Sequence, residues 1–162
     1  MKYLLILLFP ILSYSQSGLS FSVYQDAKLA TVGDNRGNEA FTLNIRIKNE
    51  WQGKQLKNSY FFVAPEFEFA QLQKDYYRYS ANVGQRFNQF SKFIEMSYSI
   101  GYGLIVRKNI SAKSLGADFE TQININKSFA FLLNMQIVER SDWNLLRTSG
   151  FLGIKYNLWT KQ

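Results

Sequence analysis

The stretch Phe41-Thr42-Leu43-Asn44-Ile45-Arg46-Ile47-Lys48 decides how this chain is read. Every odd position is apolar and every even position is polar. A period of two belongs to an extended strand, whose successive side chains point to opposite sides. One face of this strand therefore meets a greasy surrounding and the other a wet or charged one. A helix would place apolar residues three and four apart, and that spacing is nearly absent from the chain.

Outward from this stretch the same alternation recurs, giving eight segments near 18–25, 39–49, 59–71, 76–88, 93–106, 114–125, 128–138 and 149–159. In the first, Leu19, Phe21 and Val23 share a face. In the fourth, Tyr77, Tyr79, Ala81, Val83 and Phe87 alternate with Arg78, Ser80, Asn82, Gly84 and Arg86. In the fifth, Ile94, Met96, Tyr98, Ile100, Tyr102 and Leu104 alternate with Glu95, Ser97, Ser99, Gly101 and Gly103. Gly33-Asp34-Asn35-Arg36-Gly37-Asn38 is the strongest turn signal, and Lys74-Asp75, Asn88-Gln89 and Asn126-Lys127 mark tighter connections. Pro65 interrupts the third segment. It has no N–H to give a neighbouring strand, so it predicts a bulge or a lost bond.

The start of the chain reads as an export signal. Lys2 is followed by the apolar run Leu4–Leu12, then by Ser13-Tyr14-Ser15, small residues at the spacing of a cleavage site. Residues 1–15 are expected to be the signal peptide and 16–162 a single barrel domain. The run is too short to cross a bilayer as a helix. The chain has 162 residues, 17% of them aromatic, and no cysteine, so the exported domain must be held by its core, by closure of a sheet, or by a bilayer. Its net charge of +7 is scattered along the chain, which argues against nucleic acid as a partner.

Three features choose which face of the strands is inside. The polar faces are rich in Gly, Ser and Asn, small residues that suit a narrow interior. Their charges balance: Arg46, Lys48, Arg78, Arg86 and Lys155 against Glu66, Glu68, Glu95, Asp118 and Glu120. Buried charges must pair, and this set permits it. Finally, aromatics gather at segment ends. With the first strand running outward, Tyr76, Tyr77, Tyr79 and Trp143 fall near the outer rim. Trp51, Tyr60, Phe87, Phe93, Phe129, Tyr156 and Trp159 fall near the inner one, as the two interfaces of a membrane favour. Most segments reach the roughly 9–11 residues of a tilted spanning strand. The expected fold is therefore all-β: an eight-stranded antiparallel up-and-down transmembrane β-barrel, with polar residues inside and both termini on the inner side.

Over essentially the whole length after residue 15 the chain resembles the small OmpA/OmpX-type outer-membrane barrels of Gram-negative cell envelopes. The end carries the most motif-like part. Gly153-Ile154-Lys155-Tyr156-Asn157-Leu158 is similar to the terminal-strand signal read by the barrel assembly machinery, a Gly followed three and five residues on by aromatic or apolar residues. Phe151 stands where the family prefers a polar residue, and the chain runs four residues past Leu158. The composition resembles exported proteins of Bacteroidetes-type bacteria. The resemblance implies an outer-membrane location, with membrane lipid, lipopolysaccharide and the assembly machinery as partners.

The chain contains no histidine. Barrel hydrolases and lipid-modifying barrels typically use one, so a base here would have to be a carboxylate or Lys. Neither Cys/His metal sites nor phosphate-loop motifs are present, and no cofactor is expected. The i, i+2 pairs Glu66/Glu68 and Asp118/Glu120 each lie on one strand face. They are read as partners of Arg46, Arg78 and Arg86 across a filled lumen rather than as acid–base pairs. The leading expectation is a non-enzymatic barrel with a structural or surface-interaction role. A narrow porin-like pore, left open by Gly84, Gly101, Gly103 and Gly116, is the second. A soluble periplasmic barrel lined by the aromatic faces is the third. The outward connections are placed at 26–38, 71–75, 107–113 and 139–148, with Arg107, Lys108 and Lys113 as a basic cluster. The inner connection 50–58 is expected to be long.

Overall fold

The computed structural model describes residues 18–34, 37–72, 75–88, 91, 93–108, 110–140 and 145–160. The signal segment and Trp143 lie outside these residues. Eight strands follow one another: β1 (Gly18–Asp26), β2 (Asn44–Gln55), β3 (Ser59–Ala70), β4 (Tyr76–Phe87), β5 (Ile94–Arg107), β6 (Ile110–Asn124), β7 (Phe129–Arg140) and β8 (Leu145–Thr160). Each pairs antiparallel with the next, and β1 pairs with β8 to close the barrel. Closure leaves no open sheet edge. The start of β1 and the end of β8 share one end, called here the terminal end; the other is the far end.

The walls are inverted relative to a soluble protein. Even-numbered residues in 18–26, 44–52, 60–70, 76–86, 114–122 and 130–138, and odd-numbered residues in 97–107 and 151–155, point into the lumen. The opposite parity faces out and is apolar: Ile100 is 67% exposed, Val83 55% and Phe119 53%. Outward aromatics collect in two groups. Phe67, Phe69, Tyr77 and Tyr79 touch one another toward the far end. Phe87 with Tyr98, and Phe129 with Tyr156, do so toward the terminal end. Tyr60 and Tyr76, expected among the rim aromatics, instead turn inward and are buried.

The deciding stretch is only partly strand. Thr42 and Leu43 precede β2, and Phe41 has φ +65°, a left-handed backbone that a bulky side chain rarely adopts. The segment before it is not a plain loop. Asp26 ends β1 and caps a five-residue helix α1 (Ala27–Thr31), its carboxylate accepting the Leu29 N–H at 3.0 Å. Gly33, at φ +74°, ends the helix where a Cβ would lie 2.2 Å from the Asn38 carbonyl oxygen. Asp34 and Asn38 then bridge the turn, side chain to side chain at 2.8 Å.

The inner connection expected at 50–58 shrinks to 56–58, because β2 keeps its alternation through Gln52 before its register shifts ahead of Gln55. Its turn closes with the Leu56 N–H on the Ser59 carbonyl at 2.8 Å. The next two connections at this end use side chains to satisfy backbone N–H groups. Ser91 accepts from Phe93 and Ile94, and Asn126 from Ser128 and Phe129. Opposite Pro65, the β2–β3 ladder skips Asn49 and Glu50 and resumes at Trp51↔Val63 in unchanged register. The proline therefore interrupts pairing on one side without a bulge. The far-end connection between β5 and β6 is only residues 108–109, with Lys108 at φ +47° as such a tight hairpin requires.

Candidate functional site: the charged lumen

Strand parity gathers the ten predicted polar-face residues toward the barrel axis. Arg46, Arg86 and Glu50 are each 0% exposed. Around the middle, Arg46 on β2 donates through Nη1 to Asp118 on β6 at 2.7 Å, and its Nε lies 3.6 Å from Glu66 on β3. Glu66 also accepts from Arg78 Nη1 at 2.9 Å and Gln136 Nε2 at 3.3 Å, while Arg78 Nε donates to Ser114 at 3.0 Å. The Arg46 guanidinium sits between two rings, 4.4 Å from the centre of Tyr24 and 4.5 Å from that of Phe151. A polar residue at 151 would forgo that contact, which is what the departure from the family pattern supplies here.

Closer to the terminal end a second group forms a continuous chain. Lys48 Nζ donates to Glu120 at 2.7 Å; Arg86 Nη2 lies 2.7 Å from both Glu120 and Glu50; Lys155 Nζ donates to Glu50 at 2.8 Å. The Tyr24 hydroxyl donates to Glu120 at 2.6 Å. Below it, Glu95 takes Asn124 Nδ2 at 3.0 Å and stands 4.0 Å from Arg86. Glu68, also buried, accepts the Tyr76 hydroxyl toward the far end.

Glu50 is the central acceptor that reading from sequence missed. It was assigned to a loop, although Lys48, Glu50 and Gln52 continue the even-numbered polar parity of the strand. Arg107 was misplaced as well. It is buried over the Tyr76 ring at 5.4 Å, so the basic cluster divides: Lys108 and Lys113 are exposed and Arg107 faces inward.

Three of the four glycines expected to leave a channel, Gly84, Gly101 and Gly116, are covered by side chains of other strands, while Gly103 lies against the Tyr79 carbonyl and Ser80. A Cβ on Gly84 would stand 2.5 Å from the Phe62 ring, one on Gly101 1.7 Å from Asn82 Oδ1, and one on Gly116 2.8 Å from Arg78 Nη2. Among the described residues, a lumen gap bounded by Glu68, Tyr76, Arg78, Gln136 and Arg147 measures about 10 Å³, room for about one water at most. Leu29 of α1 packs with Ala70, Leu72, Tyr76 and Ile105 to form an apolar cluster at the far mouth. The larger grooves lie along the outer wall, for example beside Gly150 between Phe119, Leu133 and Leu152. They separate outward apolar side chains and gather no pair of groups suited to acid–base work. With apolar residues outside and charges inside, a soluble barrel with an aromatic lining is not the arrangement present.

The chain matches no known protein-family model and no curated protein sequence. Its fold is similar to solved structures. Ail of Yersinia pestis, determined in a phospholipid bilayer nanodisc, superposes with a TM-score of 0.61 at 13% identity, over 88% of this chain and 100% of that one. A de novo designed transmembrane β-barrel gives 0.53 at 14% identity, over 88% and 97%. Neisserial surface protein A gives 0.50 at 10% identity, over 85% and 94%. At such identities the likeness is one of fold. The class so defined is the closed, eight-stranded, up-and-down barrel of small outer-membrane proteins.

Proposed function

We propose that this protein is an outer-membrane barrel of the OmpA/OmpX type, exported through a signal peptide at residues 1–15 by a Gram-negative, Bacteroidetes-type cell. On this reading it is not an enzyme, and it serves a structural or surface-interaction role. The observation that carries the proposal is the inversion of the wall: an outward apolar band flanked by two aromatic groups, around a lumen of paired charges. Apart from the break beside Pro65, the strands pair with both neighbours around the closed ring, as hydrocarbon surroundings demand. The paired charges and the covered glycines support a scaffold over a conduit. Glu50, Glu66, Asp118 and Glu120 each lie within 3 Å of a lysine or arginine, and the gap beside Glu68 and Arg78 measures about 10 Å³. Lipid, lipopolysaccharide and the barrel assembly machinery are the partners this reading implies, the last through Gly153, Tyr156 and Leu158.

Two measurements test it. Cell fractionation combined with heat-modifiable gel migration should place a compact form, lacking its leader, in the outer membrane; recovery of that chain in the soluble periplasm would sink the proposal. In planar bilayers the refolded barrel should show little conductance. Large stable currents whose ion selectivity changes on reversing Glu66 or Arg78 would favour the pore instead.

A further inference from the structure

The two ends of the barrel differ in charge. At the far end, exposed Lys28, Lys108 and Lys113 are interspersed with Glu39, Asp75 and Glu139. At the terminal end the connecting segments 56–58, 88–93 and 125–128 contain lysine and no carboxylate. Lys54, Lys57 and Lys127 are exposed there, whereas Glu95, the described carboxylate nearest that rim, turns into the lumen toward Asn124 and Arg86. Because the lumen charges balance closely, much of the chain's excess positive charge falls on this rim.

Each of these connections also exposes an apolar residue close to its lysine. Leu56 is 46% exposed beside Lys57, Phe93 65% after Lys92, and Ile125 55% near Lys127. In the turns at 56–58 and 125–128 an exposed apolar side chain thus stands close in sequence to an exposed amine, the combination suited to the edge of a hydrocarbon layer.

We infer that the terminal-end rim is a binding surface for anionic phospholipid headgroups, and selects them over zwitterionic ones in the leaflet it meets. This rests on the membrane-barrel reading above. The amines attract a negatively charged leaflet, and the exposed Leu56, Phe93 and Ile125 hold them at headgroup depth. The mixed charges of the far end give no comparable preference for anionic lipid.

The test uses the refolded chain with Trp143 and Trp159 changed to Phe, leaving Trp51, on the terminal half of β2, as the reporter. Vesicles of phosphatidylcholine carry a small fraction of either brominated phosphatidylglycerol or brominated phosphatidylcholine, and Trp51 quenching is compared. Brominated phosphatidylglycerol should quench preferentially, by on the order of fivefold in relative affinity for each lysine engaged at low salt. The preference should fall with added salt, vanish in K54Q/K57Q/K127Q and survive in K54R/K57R/K127R. Equal quenching by the two lipids in a barrel that still shows heat-modifiable migration would overturn the inference and leave the membrane reading intact. Quenching by neither would overturn both.

Discussion

The terminal half of the lumen and its far mouth are packed by different means. In the terminal half, Glu50, Arg86, Glu120, Lys48 and Lys155 are joined by contacts of 2.7–2.8 Å and buried. At the far mouth, Leu29, Leu72, Tyr76 and Ile105 form an apolar cluster, and the nearby pair Arg147–Asp26 is longer, at 3.5 Å, with Arg147 partly exposed. The difference follows from the surroundings. Deep in the ring a charge has no water, so its desolvation must be offset by close partners. At the mouth, water solvates ions adequately, and an exposed ion pair contributes little. Exclusion of water by apolar side chains is the more effective closure there.

That contrast can be broken most severely at its centre. Glu50→Ala leaves Arg86 and Lys155 without their shared acceptor and should cost about 3–5 kcal/mol. A urea titration of the folded gel band reads this; a loss below about 1 kcal/mol would show that the pairs are loose. Leu29→Ala attacks the other closure. It should remove about 2 kcal/mol or more from the docking of α1, yet leave the barrel's urea midpoint in place. Hydrogen exchange across 27–34 should quicken, and an equal drop in the global midpoint would refute the idea that the cap is a separate unit.

Smaller effects sharpen the boundary between the two. Gly153→Ala puts a Cβ 2.5 Å from the Tyr24 ring and 2.8 Å from the Val23 carbonyl oxygen. The expected loss is about 1–3 kcal/mol, since the ring and the neighbouring strand must both yield; a neutral result would mean Tyr24 is free to move off Arg46. Phe41→Gly works in the opposite direction. Its side chain is 86% exposed and its backbone is left-handed. Relief of that strain should stabilise the loop by about 1 kcal/mol, measurable as reduced proteolysis before β2. Faster cleavage in the variant would show that the Phe41 side chain holds the loop.

Much of the architecture was legible because barrel strands make a local pattern visible. Each residue's face depends on its parity alone, so Arg46, Arg78, Arg86 and Glu120 were assigned to the interior without knowledge of their neighbours. Legibility failed where parity competes with another signal. Asn44 and Thr42 look alike in an alternating run, yet the left-handed turn at Phe41 separates them. Glu50 lies one residue past the segment expected at 39–49, although the strand's alternation continues through Gln52. The helix α1 is too short to show a helical period, and its reason for forming is a single capping carboxylate, Asp26. Arg107 stood beside Lys108 in sequence, but strand geometry turned it into the lumen.

By itself the sequence determined a two-faced, all-β chain with enough alternating segments to close a ring and a polar face whose charges can neutralise one another. Those properties are local or additive, and need only the order and counts of residues. Which carboxylate meets which cation was decided by the tertiary structure alone. Arg46 and Asp118 are 72 residues apart, and Lys155 and Glu50 are 105 apart. Their meeting depends on strand register and on the curvature of a closed eight-stranded wall, which brings opposite sides within one side-chain length of the axis. The covering of Gly116 on β6 by Arg78 of β4 and the apolar cap on the far mouth arise in the same way. Both join elements that are not neighbours along the chain, and no reading along the chain contains that distance.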